Sequence, residues 1–243
     1  MQDRYVGDIG DFGKIALLKA LQKQGLSIGV NWYKTGPLES EKDANGAFKK
    51  NDGGYPTPIK YRGCDEELYD RLEIIFNSKT RTIEALKNLN LIPGAEYFPE
   101  PVSVSDRAGW HQRAMAELDT DLVFLDPDNG LLVDSVSPKS VRSVKYVLYE
   151  EVEQYLCKGK SVLVYNHRCR KPKEKYFREI FGKLQSLEKV TPENILVITF
   201  PRRSVRDYFA VAASEDHRKK IENAFRDMTQ GDLSKKICYI LGW

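Results

Sequence analysis

The sequence predicts an α/β protein: a Rossmann-like, mostly parallel sheet with helices on both faces and antiparallel strands late in the chain. Three observations lead there. L-V-F-L at 122–125 is a short unbroken apolar run, and S-V-L-V-Y-N at 161–166 reads as a second strand buried on both faces. Stretches with apolar residues at helical spacing separate the strand-like runs. Finally, the runs at 194–200 and 207–213 are joined by P-R-R-S-V-R, short enough for a hairpin. With 243 residues, 41% of them hydrophobic, the chain supplies a real core, and it reads as one domain over residues 1–243.

The elements follow in order. Y-V-G-D-I-G-D-F-G-K precedes a first helix, whose apolar face is Ile15, Leu17, Leu18 and Leu21. Asp11 is its expected N-cap and Gly25 its stop. Residues 26–33 read as the first strand. Residues 34–61 are rich in Gly, Pro, Asn and charge and read as a long mobile insertion, either a lid or a plain surface loop. Helices are expected at 65–76 and 82–89, then a proline-broken peripheral strand within 95–104. Ser105 or Asp106 caps a helix running to Leu118. After the 122–125 strand come helices at 144–157, 173–187 and 217–228, and a last strand at 237–243.

Chemistry concentrates at D-L-V-F-L-D-P-D-N-G-L-L, residues 121–132. Pro127 removes a ladder donor, so the strand stops at Asp126, and Asn129-Gly130 forms a turn. Asp126, Asp128 and Asn129 are thereby placed at the carboxyl end of a central strand, the edge where open α/β sheets bind ligands. The plainer alternative is a turn whose Asp caps a helix. His167 ends the neighbouring strand and falls on the same edge if the sheet is parallel there, placed for acid, base or ligand work, although a lone histidine is more often structural. His111 and His217 fall on helices and suggest nothing further.

G-D-I-G-D-F-G-K is not a phosphate loop, because Asp8 stands at the first glycine position and Ile15 at the hydroxyl position. Gly7, Asp8, Gly10, Asp11 and Lys14 still make a compact set of carboxylates, glycines and one cation, suited to ligand hydroxyl or amino groups, to a metal, or to a locally paired helix start. Charge is segregated. Residues 158–206 hold 13 Lys and Arg against 4 Asp and Glu, while the whole chain carries only +3. Arg168, Arg170 and Lys171 beside His167, and Arg202, Arg203 and Arg206 in the hairpin turn, form a candidate phosphate-binding face for nucleic acid, or an ordinary solvated face.

The four scattered cysteines lack C-x-x-C spacing, so neither a zinc site nor a disulfide framework is expected. The sequence shows no membrane-length apolar stretch and no signal-peptide pattern, and the expectation is a cytoplasmic protein.

The paired signatures Y-V-G-D-I-G-D-F-G-K and F-L-D-P-D-N-G, with Y-N-H-R-C-R, resemble those of an uncharacterised bacterial family. More distantly, the order of elements resembles the S-adenosylmethionine-dependent methyltransferases. In amino-directed members strand four ends in [DN]-P-P-[YF], where this chain has Asp126-Pro127-Asp128-Asn129. In J-type 23S rRNA adenine-N6 methyltransferases an H-A-G-N-x-A-D-x-x-K motif precedes the first helix, and Gly7, Asp8, Gly10, Asp11 and Lys14 fall in register with it. The resemblance implies S-adenosylmethionine near Asp11 and Lys14, a target amino group near Asp126, and a nucleic-acid substrate. The chain departs from the pattern after the first strand, where N-W-Y-K-T-G-P offers only Gly36, and at Asp128 and Asn129, which replace a proline and an aromatic residue. An alternative from the residues alone is a metal-dependent phosphoesterase or nuclease, with Asp8, Asp11, Asp126, Asp128 and His167 around Mg²⁺ or Mn²⁺. A non-catalytic module binding nucleic acid or protein is the third reading.

Overall fold

A computed structural model describes residues 1–36, 38, 55–201, 205–230 and 240–241. Nine strands are described: β1 (Ile28–Asn31), β2 (Glu96–Phe98), β3 (Leu122–Leu125), β4 (Gly130–Leu131), β5 (Tyr146–Val147), β6 (Ser161–His167), β7 (Ile195–Phe200), β8 (Arg206–Val211) and β9 (Ile240–Leu241). Seven form one sheet in the order β2-β1-β3-β6-β8-β7-β9. The pairings from β2 to β6 are parallel, and those of β8 with β6 and β7, and of β9 with β7, are antiparallel. The expected α/β architecture with late antiparallel strands is therefore present. β4 and β5 make a separate parallel ribbon.

Among the described residues seven helices cover the sheet: α1 (Ile9–Lys23), α2 (Glu66–Asn77), α3 (Ile83–Asn88), α4 (Arg107–Glu117), α5 (Tyr149–Cys157), α6 (Lys173–Gln185) and α7 (Glu215–Gln230). The strand period of two sends alternate residues to opposite faces. Leu122 and Phe124 join α1, α2, α3 and α7 in one core, whereas Val123 and Leu125 join α4, α5 and α6 in the other. Both faces are apolar because both are covered, which is why the central strands read as unbroken runs.

Three boundaries differ from the sequence reading. Helix α1 begins at Ile9, so Gly10, Asp11, Gly13 and Lys14 lie inside it. The N-cap is Asp8, whose carboxylate accepts from the Gly10 and Asp11 amides, and not Asp11. The stretch 144–157 is not one helix. Tyr146 and Val147 pair with β4, and α5 starts at Tyr149, where Glu151 reaches back to accept from the Leu148 amide. Within the expected insertion, residues 37 and 39–54 lie outside the described residues, while Ile59–Cys64 forms a 3-10 helix. Most of the 237–243 strand also lies outside the described residues. Among the described residues no helix is long and apolar enough to cross a membrane.

Gly13 is packed against Phe200 at the end of β7. A Cβ there would stand 2.7 and 2.8 Å from ring atoms of Phe200, which is fully buried. Gly13→Ala improves helix propensity by up to ~1 kcal/mol, but the crowded ring should make the net result a loss of about 1–2 kcal/mol. Urea denaturation of the variant measures it; unchanged stability would mean the ring shifts freely.

Candidate functional site at the carboxyl edge of the sheet

Strand β1 lies between β2 and β3, so the chain leaves β1 toward one side and returns on the other. This makes the carboxyl ends of β1 and β3 a topological switch point. Asn31 closes β1, and its side-chain oxygen accepts from the Tyr33 amide at 3.1 Å, holding Tyr33 at the unusual φ of 44°. The Asp126 amide donates to Asn31 O at 3.0 Å, which joins the two strand ends.

The carboxylate of Asp126, only 1% exposed, receives Lys14 Nζ at 2.8 Å. Lys14 also reaches Asp11 Oδ1 at 3.3 Å and stands 4.5 Å from the centre of the Tyr165 ring. The other oxygen of Asp11 accepts from the Gly7 amide at 2.8 Å. Gly7 is required there: its φ is +80°, and a Cβ would meet Ile75 and the Phe76 backbone at 3.0 Å. The two motifs noted in the sequence are thus one buried cluster, bridged across the chain by Lys14.

Its electrostatics follow from burial opposed by pairing. Burial pushes the Asp11 carboxyl up to about 7 although Lys14 pulls it down. Burial also raises Asp126 above the ordinary aspartate range, against the pull of Lys14 and the Met1 amine. For Lys14 burial disfavours the charge, but Asp126 and Asp11 outweigh it and raise the ammonium above the ordinary lysine value.

Asp128 sits in a second group. Gln2 Nε2 donates to it at 2.6 Å, Lys145 Nζ lies at 3.3 Å and the Met1 amine at 3.4 Å. Burial alone would raise its carboxyl, yet the Met1 amine and Lys145 hold it below the ordinary value. The Met1 amine donates to the carbonyls of Trp32 and Tyr33, each at 2.8 Å, and of Asp126 at 3.0 Å. Carbonyls from both strand ends therefore converge on one ammonium group at the switch point.

The turn after Asp128 is clamped to β6. The Asn129 amide donates to Lys145 O, and its carbonyl accepts from the His167 amide. Asn166 Oδ1 accepts from the Leu131 amide at 2.7 Å, and Asn166 Nδ2 contacts the Tyr176 hydroxyl at 2.6 Å. His167 lies on the same sheet edge as Asp126, as the parallel β3–β6 pairing requires, with Nε2 3.3 Å from the Tyr165 hydroxyl. Arg206 pairs with His167 in register and donates to that same hydroxyl.

The basic residues are placed unequally. Arg168 is committed to Asp207, which is fully buried, through Nε at 2.8 Å and Nη2 at 2.5 Å. Lys171 pairs with Glu179 at the surface, and Arg170 is exposed. Arg202 and Arg203 lie outside the described residues. Among the described residues no three of His, Cys, Asp and Glu gather as a metal site, so Asp8, Asp11, Asp126, Asp128 and His167 do not form one ligand set. Sequence reasoning missed Gln2, Lys145 and Tyr165, which complete the polar shell. A tyrosine inside an apolar strand run and a lysine before a short ribbon carry no local mark of their role.

No protein-family model matches the chain, and no curated protein matches it.

Proposed function

We propose that the chain is a methyltransferase-like protein that acts on an amino group of a nucleic acid, with S-adenosylmethionine as methyl donor. The observation that supports this most is the direct contact of Lys14 with Asp126. It joins the N-terminal motif and the strand-end motif, the two segments in which the resemblance to amino-directed methyltransferases resides. Asp126 would accept a hydrogen bond from the target amino group and orient its lone pair. Arg170 and Lys171 would meet phosphates near the same edge.

The acceptors gathered at the switch point suit one end of the cofactor. Three carbonyls and the Asp128 carboxylate already surround an ammonium there, and the cofactor's amino-acid end carries one. Trp32, Tyr33, Asp126 and Asp128 would hold that end, and the bound group would supply an electrophilic methyl. Met1 takes these same acceptors, so the cofactor would displace its amine.

That occupancy, with Trp32 and Tyr33 buried where a glycine-rich turn would stand, favours a second reading: a nucleic-acid-binding module without chemistry. One experiment separates them. Under the first reading S-adenosylhomocysteine at a hundred times its Kd stabilises the protein by about 2.7 kcal/mol, and labelled methyl groups pass to RNA or DNA. No thermal shift, together with a nucleic-acid affinity that falls steeply with salt, would select the second.

A further inference from the structure

We infer that the cavity between α6 and the β4–β5 ribbon is a seat for one nucleotide, which takes the base inside and the phosphate at its rim. The inference rests on the nucleic-acid reading above and adds to it. The cavity adjoins Asn129 but neither Asp126 nor Lys14, so its occupant is a nucleotide flanking the target, and the seat sets sequence context.

The cavity holds about 540 Å³, within the range of small-ligand pockets. Leu131 and Ile180 line it with buried apolar surface, and the half-buried ring of Tyr149 offers a stacking face. Asn129 also lines it, and its side chain has no hydrogen-bond partner among the described residues. A carboxamide both donates and accepts, which is what the edge of a base requires.

Cations stand at the mouth. Lys183 Nζ is 5.5 Å from the centre of the Tyr149 ring and pairs with Asp134, which is 82% exposed. Lys171 pairs with Glu179, and both are substantially exposed. Exposed pairs of this kind contribute little, so a phosphate can take either lysine from its carboxylate at small cost. A ring stacked on Tyr149 with its phosphate on Lys183 uses both features at once, and an apolar ligand would use only the first.

Cys169 supplies the readout, since it lines this cavity and is exposed, while Cys157 is exposed elsewhere. The full chain is alkylated with a thiol reagent, with and without each nucleoside monophosphate and without cofactor, and both cysteine peptides are quantified by mass spectrometry. At least one nucleotide should slow alkylation of Cys169 saturably and leave Cys157 unchanged. Its free nucleoside should protect more weakly, and inorganic phosphate alone should not protect. Tyr149→Ala should raise the half-protecting concentration about tenfold or more, the loss of one base–aromatic stack. Lys183→Ala, a surface change, should also weaken protection.

Absence of protection by every nucleotide, equal slowing of both cysteines, or protection that survives both substitutions would overturn the inference. The functional reading fails separately. Protection of Cys169 with neither a response to S-adenosylhomocysteine nor methyl transfer would keep the seat and remove the methyl-transfer reading.

Discussion

Lys14→Met should destabilise the protein by about 3–5 kcal/mol at pH 8, the range found when one partner of a buried ion pair is removed. Lys14 is the shared cation of Asp11 and Asp126, each 1% exposed, so the variant leaves two buried carboxylates without it. The loss should depend on pH in a definite direction. With Lys14 present, the Asp11 carboxyl is pushed up to about 7 by burial, well above the ~3.9 of an unfolded aspartate. A group whose folded pKa is the higher one binds more protons when folded. Its favourable contribution is complete below the unfolded value, is lost as pH rises toward the folded value, and changes no further above it. Removing Lys14 removes the pull that lowers Asp11 and Asp126, so both carboxyls rise further and their window extends to higher pH. Acid neutralises them and relieves the variant more than the parent. Urea denaturation between pH 5 and 8 should therefore show the gap narrowing as pH falls. A gap of constant size would assign the loss to packing of the lysine stem.

The sheet was legible because burial on both faces leaves a local mark: L-V-F-L and the V-L-V-Y of 162–165 are apolar without alternation and lie in β3 and β6. Boundaries differ at α1 and α5. The sequence reading puts the cap of α1 at Asp11. Asp8 is the cap, and Asp11 lies inside the helix with its carboxylate turned to Lys14 and the Gly7 amide. Residues 144–157 mix β-branched, aromatic and acidic residues, and the split at Val147 arises from pairing with β4, a partner outside the segment.

The two site motifs were also legible, but not their junction. Lys14 and Asp126 are 112 positions apart, and only the strand order brings them together. Arg168 looked like surface charge because its partner Asp207 lies 39 positions away on β8, beside Arg206, which is the nearer cation in the sequence. Met1 and Gln2 belong to no periodic element, so their place against β1 and Asp128 had no sequence signal at all.

Gly130→Ala should be the most damaging single methyl group in the site region, with a loss of about 3 kcal/mol or more from strain, overpacking and a broken hydrogen bond together. Gly130 has φ +123°, and a Cβ would fall 1.8 Å from Asn166 Oδ1 and 2.9 Å from Asn166 Cα. The Asn166 side chain can swing away only by giving up the Leu131 amide and the Tyr176 hydroxyl. Its backbone cannot follow, because β6 is held between β3 and β8. Two comparisons divide the loss. Gly159→Ala adds a methyl at φ +75° with nothing within 4 Å, so it reports backbone strain alone, about 1 kcal/mol. Adding Asn166→Ala to Gly130→Ala removes the side-chain collision but neither the backbone clash nor the strain, so the double variant should remain less stable than Asn166→Ala alone. Equal urea midpoints for those two would show that the side-chain collision was the whole effect and that the turn tolerates a Cβ. A persistent difference would show that the Asp126–Gly130 turn is pressed onto the β6 backbone, which fixes the direction in which Asp128 and Asn129 are presented at the sheet edge.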